Sequence, residues 1–191
     1  MISLAIPEAH GDRGEWRQKF RIIREMAELS GTTGKVEVGI ASVKHSQDLE
    51  VWAKDLEFDF LSTKKFSPSL LECVTDEQHI IGGFSTVEEG LSAAGKVDVL
   101  KLYPATAMSP ESLGRDLLSF IPTETDVIVS GGVTKEVMKR FSYLNIQGYA
   151  VGQSFLPKSY ETTSRVIEEM DLIWRGFSCE ISSMRSCVKG D

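Results

Sequence analysis

No uninterrupted apolar run in this 191-residue chain exceeds a few residues, and Leu4-Ala5-Ile6 is followed at once by Pro7-Glu8. Neither a membrane-spanning helix nor the apolar region of a signal peptide fits such a pattern. A cytoplasmic protein with no membrane partner is expected. Cysteine is scarce: Cys73, Cys179 and Cys187 are odd in number, with no Cys-x-x-Cys spacing and no histidine at ligand spacing beside them. They read as free thiols. The three histidines, His10, His45 and His79, lie far apart in the chain, so no metal site is expected. Positive charge is also in deficit, with Lys+Arg 21 against Asp+Glu 28 and a net charge of -7. No global field draws in nucleic acid, and an anionic ligand needs a local site. A Gly-x-Gly-x-x-Gly fingerprint after the first strand is absent, which argues against a dinucleotide; no cofactor is expected.

What is present is ordinary globular composition, with 41% hydrophobic and 26% charged residues, at a length that suits one domain. The expected domain is 1–191, with 175–191 as a C-terminal tail. Short β-rich runs end in polar or glycine residues at Ile2–Ile6, Val36–Ser42, Phe58–Ser62, His79–Phe84, Val97–Pro104, Asp126–Gly131 and Gly148–Phe155. Segments of helical period separate them, clearest where Trp16, Phe20, Ile23 and Ala27 fall on one face. Helix starts are signalled by Thr86 with Glu89 as a capping box, by Ser67-Pro68 and Ser109-Pro110, and by Thr134 ahead of a helix over 135–141.

Strict β-α alternation requires parallel strands, so the fold is α/β, either an open doubly wound sheet or a closed barrel. The short repeat, ~20–25 residues per βα unit, favours a (β/α)8 TIM-barrel type. So do the glycine-rich ends of the last two strands, where such barrels often bind phosphate. Those ends are Ser130-Gly131-Gly132 and Gly152-Gln153-Ser154. Their backbone N–H groups can approach an anion closely, while plain strand-to-helix turns are the alternative.

Lys101 lies near the carboxyl end of its strand, and period two separates it from Leu100 and Leu102. If the leucines meet the helices, Lys101 points into the barrel. There an ammonium loses hydration, and the neutral amine can attack a carbonyl to form a Schiff base. The alternative is a lysine whose head reaches solvent at the strand end.

The segment Leu100-Lys101-Leu102-Tyr103-Pro104-Ala105 resembles the Lys-(Phe/Leu)-Phe-Pro-Ala segment of the 2-keto-3-deoxy-6-phosphogluconate / 2-keto-4-hydroxyglutarate aldolase family. Val38-Gly39-Ile40-Ala41-Ser42-Val43 is similar to that family's Val-Gly-Ala-Gly-Thr-Val. Gly83 to Glu89, Ser130 to Gly132 and Val151 to Phe155 match further family segments in order. The resemblance covers about residues 36 to 157. It implies a class I aldolase that cleaves a phosphorylated 2-keto-3-deoxy sugar acid to pyruvate and glyceraldehyde 3-phosphate. Lys101 would be the Schiff-base residue, Ser42 would stand near the pyruvate end, and the two glycine turns would hold phosphate. It also implies a homo-oligomer, a trimer in the family.

One family segment has no counterpart: the Leu-Glu-Val-Thr-(Leu/Met)-Arg of strand two, which carries a general acid/base and a carboxylate-binding arginine. The chain before Val36 is too short for two family strands, so Ile2–Ile6 is expected to correspond to strand two, with the first βα unit expected to be lacking. Glu8 is the nearest carboxylate to that strand's end and stands as the candidate general base, a solvated glutamate being the alternative. Arg13 and Arg17 have no motif behind them and are left out of the site. Two other functions stay open: a diverged or truncated phosphosugar-binding barrel without lyase activity, and a phosphosugar isomerase or epimerase.

Overall fold

The computed structural model describes residues 1–5, 12–29 and 36–152. Glu8, Gln153, Ser154 and the expected tail at 175–191 lie outside the described residues. The seven expected strands are all present: β1 (Ile2–Ala5), β2 (Val38–Val43), β3 (Phe60–Thr63), β4 (His79–Phe84), β5 (Val99–Leu102), β6 (Asp126–Ser130) and β7 (Gly148–Ala150). Between them lie the helices α1 (Arg13–Leu29), α2 (Ser46–Trp52), α3 (Val87–Ala93), α4 (Pro110–Ser112) and α5 (Lys135–Phe141). From α4 the chain widens into a π turn over Leu113–Leu118.

Every strand pairs in parallel with the next, in the order β1-β2-β3-β4-β5-β6-β7. A doubly wound sheet reverses its strand order at a switch point. This one never does, so the fold is a truncated TIM-like α/β arrangement wound in one direction. Among the described residues the sheet has seven strands and not eight, and β7 is not paired with β1.

Alternation sorts the side chains into two layers. Leu100 and Leu102 of β5 and Val127 and Val129 of β6 are fully buried in one apolar cluster with Phe84, Leu113, Leu117 and Phe141. In the other half of the same helix-facing layer Val38 and Ile40 of β2 and Leu61 of β3 pack with Trp16, Phe20 and Leu49. Trp16 and Phe20 supply the buried face of α1, with Ile23 and Ala27 packed beside them. A fully buried side chain of this size contributes about 1.5–3 kcal/mol.

A side chain just before one strand reaches back to the first or second N–H of the strand before it, tying together the amino ends of the sheet. Asp59 accepts from Val38 N–H at 2.8 Å, Asp98 from Ile80 N–H at 2.8 Å and Gln147 from Val127 N–H at 2.6 Å. Asp59 also takes Nη1 of Arg24 at 2.7 Å, which ties α1 to the β2–β3 edge.

The caps partly follow expectation. Thr86, Ser109 and Thr134 accept from Glu89, Ser112 and Val137 N–H respectively. The carboxylate of Glu89, however, accepts from Ser85 N–H and Oγ at 2.8 Å and pairs with Lys65 at 2.7 Å, instead of returning to the cap residue. These donors hold its carboxyl down to about 2, Lys65 first and Ser85 second. Ser67-Pro68 opens a 3-10 turn over Pro68–Cys73, and Ser67 makes no side-chain cap. Its hydroxyl meets Ser69 Oγ at 3.0 Å instead.

Candidate active site

Lys101 stands one residue before the carboxyl end of β5 and is only 6% exposed. Its register neighbours are Gly83 on β4 and Ile128 on β6. Leu100 and Leu102 point the other way, into the helix-facing cluster, so the lysine faces the concave side of the sheet. The solvent-reaching alternative does not hold. Nζ donates to Ser62 Oγ at 2.6 Å. Burial pushes the ammonium down to about 8, and the charge of Lys64 adds to the shift. At pH 7 about a tenth of this amine is therefore neutral, far more than an ordinary lysine offers as a carbonyl-attacking nucleophile.

Ser62 was not singled out in the sequence. It is 6% exposed and pairs with Ala41 and Ile81 on the two neighbouring strands, which places it on the same concave face. A weak signal existed in the small polar pair Ser62-Thr63 where the β-rich run from Phe58 ends. Thr63 is fully buried, and its Oγ1 accepts from Gly83 N–H at 2.9 Å. That bond locks β3 to β4 beside Lys101.

Two glycines set the spacing around the lysine. A Cβ on Gly83 would stand 2.1 Å from the carbonyl oxygen of Lys64, so the end of β3 lies directly against β4 only because Gly83 has none. A Cβ on Gly131 would stand 2.7 Å from the Tyr103 ring and 3.0 Å from Pro104 Cα. Gly131 and Gly132 both adopt positive φ, +77° and +71°, a region where an L side chain costs about 1–2 kcal/mol. Gly131 O accepts from Ala105 N–H at 3.0 Å, joining the turns that follow β5 and β6. Beside Gly132 the space is open.

The Tyr103 ring is thus seated on Gly131, with Nζ of Lys101 6.0 Å and Nζ of Lys64 5.9 Å from its centroid.

Ser42 sits at the carboxyl end of β2 where the register with β3 shifts, and its φ is 64°. A non-glycine residue in that region is uncommon and often marks a functional end of a strand. Ser42, Ser130, Gly131, Gly132 and Gly152 all lie at or just beyond the carboxyl ends of β2, β6 and β7, the same end as Lys101. No side chain stands within 4 Å of a Cβ placed on Gly152.

Ser3 and Ala5 pair in register with Gly39 and Ala41, and none of the four is acidic or basic. Arg13 and Arg17 donate to the α2-side carbonyls of Val51 and Lys54, at 3.4 and 2.6 Å, well away from Lys101's face. Among the described residues no three His, Cys, Asp or Glu side chains gather as a metal site, and no helix is long and apolar enough to cross a membrane.

A parallel, singly wound α/β sheet with a buried lysine at the carboxyl end of a central strand defines the class of this structure. The chain matches no protein-family model and none of the curated proteins. Its fold resembles solved structures of the aldolase family. A native KDPGal structure superposes with a TM-score of 0.69 at 19% identity, covering 88% of this chain and 79% of that one. The KDPG aldolase of Legionella pneumophila, with pyruvate captured as a covalent carbinolamine, gives a TM-score of 0.53 at 17% identity over 79% and 73%. A subunit of a designed cube-shaped protein cage, built by fusing symmetric oligomeric domains, gives 0.70 at 19% identity; 90% of this chain is covered but only 61% of that one. The resemblance first drawn from Lys101 and the glycine turns therefore extends to the fold.

Proposed function

We propose that this protein is a class I aldolase acting on a phosphorylated 2-keto-3-deoxy sugar acid, with Lys101 as the Schiff-base residue. The observation that carries the reading is the buried amine of Lys101, hydrogen-bonded to Ser62 on the concave face of the sheet. Nζ attacks the C2 ketone, and the carbinolamine loses water to leave a protonated imine. As a base takes the C4 hydroxyl proton, the C3–C4 electrons flow into the imine. Glyceraldehyde 3-phosphate departs as the aldehyde. The enamine left on Lys101 is protonated at C3 and hydrolysed by water to pyruvate, which regenerates the amine.

The phosphate is assigned to the backbone of Ser130, Gly131 and Gly132, with Gly152, Gln153 and Ser154 beside it, and the pyruvate end to the vicinity of Ser42. Glu8 is the proposed base. The lysine supplies the electron sink, so the scheme uses no cofactor. The oligomeric domains of the cage neighbour support a homo-oligomer, and a cytoplasmic location is part of the reading. Incubation with pyruvate and borohydride tests the reading. The expected result is a reduced three-carbon adduct on Lys101 by peptide mass; an adduct on another lysine, or none, overturns it.

A second reading is favoured by one observation: Ser3, Ala5, Gly39 and Ala41, the register set of β1 and β2, bring no acid, base or guanidinium. A phosphosugar-binding barrel without lyase activity needs none. Deuterium exchange into the pyruvate methyl group separates the two, since only a site with a working base exchanges above a lysine-only background.

A further inference from the structure

We infer that Lys64, at the end of β3, is the cationic partner for the carboxylate next to the reacting ketone, a role that no guanidinium among the described residues is placed to fill. The inference rests on the reading of Lys101 as the imine-forming residue. A 2-keto acid carries its negative charge one bond from the carbon that Lys101 would attack, so whatever neutralises it must stand close to that amine.

Three features place Lys64 there. First, the side chains of Lys64 and Lys101 converge on one ring, with their amines 5.9 and 6.0 Å from the centroid of Tyr103. Second, the approach is built into the backbone. The Lys64 carbonyl lies where a Cβ of Gly83 would be, and Thr63 Oγ1 holds Gly83 N–H at 2.9 Å. The end of β3 is thereby drawn over the one strand that separates it from β5. Gly83 N–H, Thr63 and Lys64 form a fixed ledge, and Phe66 N–H returns to Gly83 O at 2.8 Å to close it. Third, Lys64 is half-buried whereas the adjacent Lys65 is exposed and paired with Glu89 at 2.7 Å. Of the two lysines in this turn, Lys64 is thus the one directed to the site. The electrostatics agree, since the charge of Lys64 helps to hold the Lys101 amine down.

Two ammonium groups near one another disfavour each other's charge, and a carboxylate held beside both offsets that cost. Binding of an anion next to the ketone and deprotonation of the nucleophile are therefore served by one residue. An uncharged ketone gains only the second effect. A charge-assisted hydrogen bond of this kind corresponds to about 10- to 100-fold in affinity.

The test uses the full chain with Lys64→Met and Lys64→Arg. Pyruvate and acetone are trapped on Lys101 with borohydride, each variant at a pH on the plateau of its own profile. Lys64→Met is expected to raise the pyruvate concentration for half-maximal trapping about 10- to 100-fold, with acetone trapping retained, and Lys64→Arg is expected to restore pyruvate. The trapping midpoint of Lys64→Met should also move to higher pH, because a repelling charge has gone. Calorimetric titration with oxamate, a pyruvate isostere whose amide carbonyl forms no imine, reads the carboxylate contact by itself. Oxamate bound by wild type and lost in Lys64→Met sustains the role of Lys64 even if no carbonyl is ever trapped, in which case the aldolase reading alone fails. Equal oxamate affinity in wild type and Lys64→Met, no oxamate binding by wild type, or equal losses for pyruvate and acetone, overturns the inference.

Discussion

The two halves of the sheet have the same backbone plan and different chemical content. In the β4–β6 half, Lys101 stands on a strand whose reverse side, Leu100 and Leu102, is fully buried among Phe84, Leu113 and Leu117. In the β1–β2 half the reverse side is as well packed, with Val38 and Ile40 against Trp16 and Phe20. Among the described side chains its concave positions, however, are Ala5, Gly39 and Ala41. Both halves satisfy the requirement to fold, a buried helix-facing layer. Among the described residues only the former carries a buried lysine, and β3, between them, carries Ser62 and leads into Lys64. A helix-facing core can thus be kept intact while the concave side changes its chemistry, because period two makes the two faces separately variable.

The largest effect that would sharpen this contrast is removal of the amine. Lys101→Met should abolish borohydride trapping entirely, and peptide mass mapping checks that no other lysine takes its place. Glu8→Gln probes whether the amino-terminal half supplies the base. Methyl deuterium exchange into pyruvate, read by NMR, should slow by about 10²–10⁴-fold while the imine still forms. Unchanged exchange would assign the base elsewhere, with Tyr103 the neighbour on the lysine's face.

The third effect is on stability. Burial lowers the Lys101 ammonium from 10.5 to about 8 in the folded chain, so between these values the unfolded state holds the extra proton. Stability therefore rises as pH increases through that window, and below it the buried charge costs about 3 kcal/mol. Urea unfolding of wild type should show this rise, and Lys101→Met should lack it while being the more stable at neutral pH. A parallel slope in both proteins would mean that the lysine is solvated.

The smallest expected effects separate the two glycines after β6. Gly132→Ala meets open space and bears only the cost of positive φ, about 1–2 kcal/mol, so phosphorylated ligands should bind somewhat more weakly with pyruvate trapping untouched. Gly131→Ala drives a Cβ against the Tyr103 ring and should impair both. Equal behaviour of the two variants in trapping would detach Tyr103 from the lysine site.

Local pattern in the chain was enough for all seven strands, for the cap at Thr134 and for the face that Lys101 shares against its leucines, since these follow from period two, period 3.6 and capping chemistry. It also limited the sheet to parallel strands. The consecutive strand order, and with it the choice of a singly wound sheet over a doubly wound one, is decided by tertiary pairing. So is the meeting of Lys101 with Ser62, 39 residues earlier in the chain. The same holds for Lys64, an unremarked charge in a loop until Gly83 lets β3 close over β4, and for Gly131, read from sequence as an anion turn and found seated against Tyr103. The alternation of side chains is a property of each strand alone. Which side chains face one another across the sheet depends on register and on where a Cβ is missing, and neither is written in any single segment.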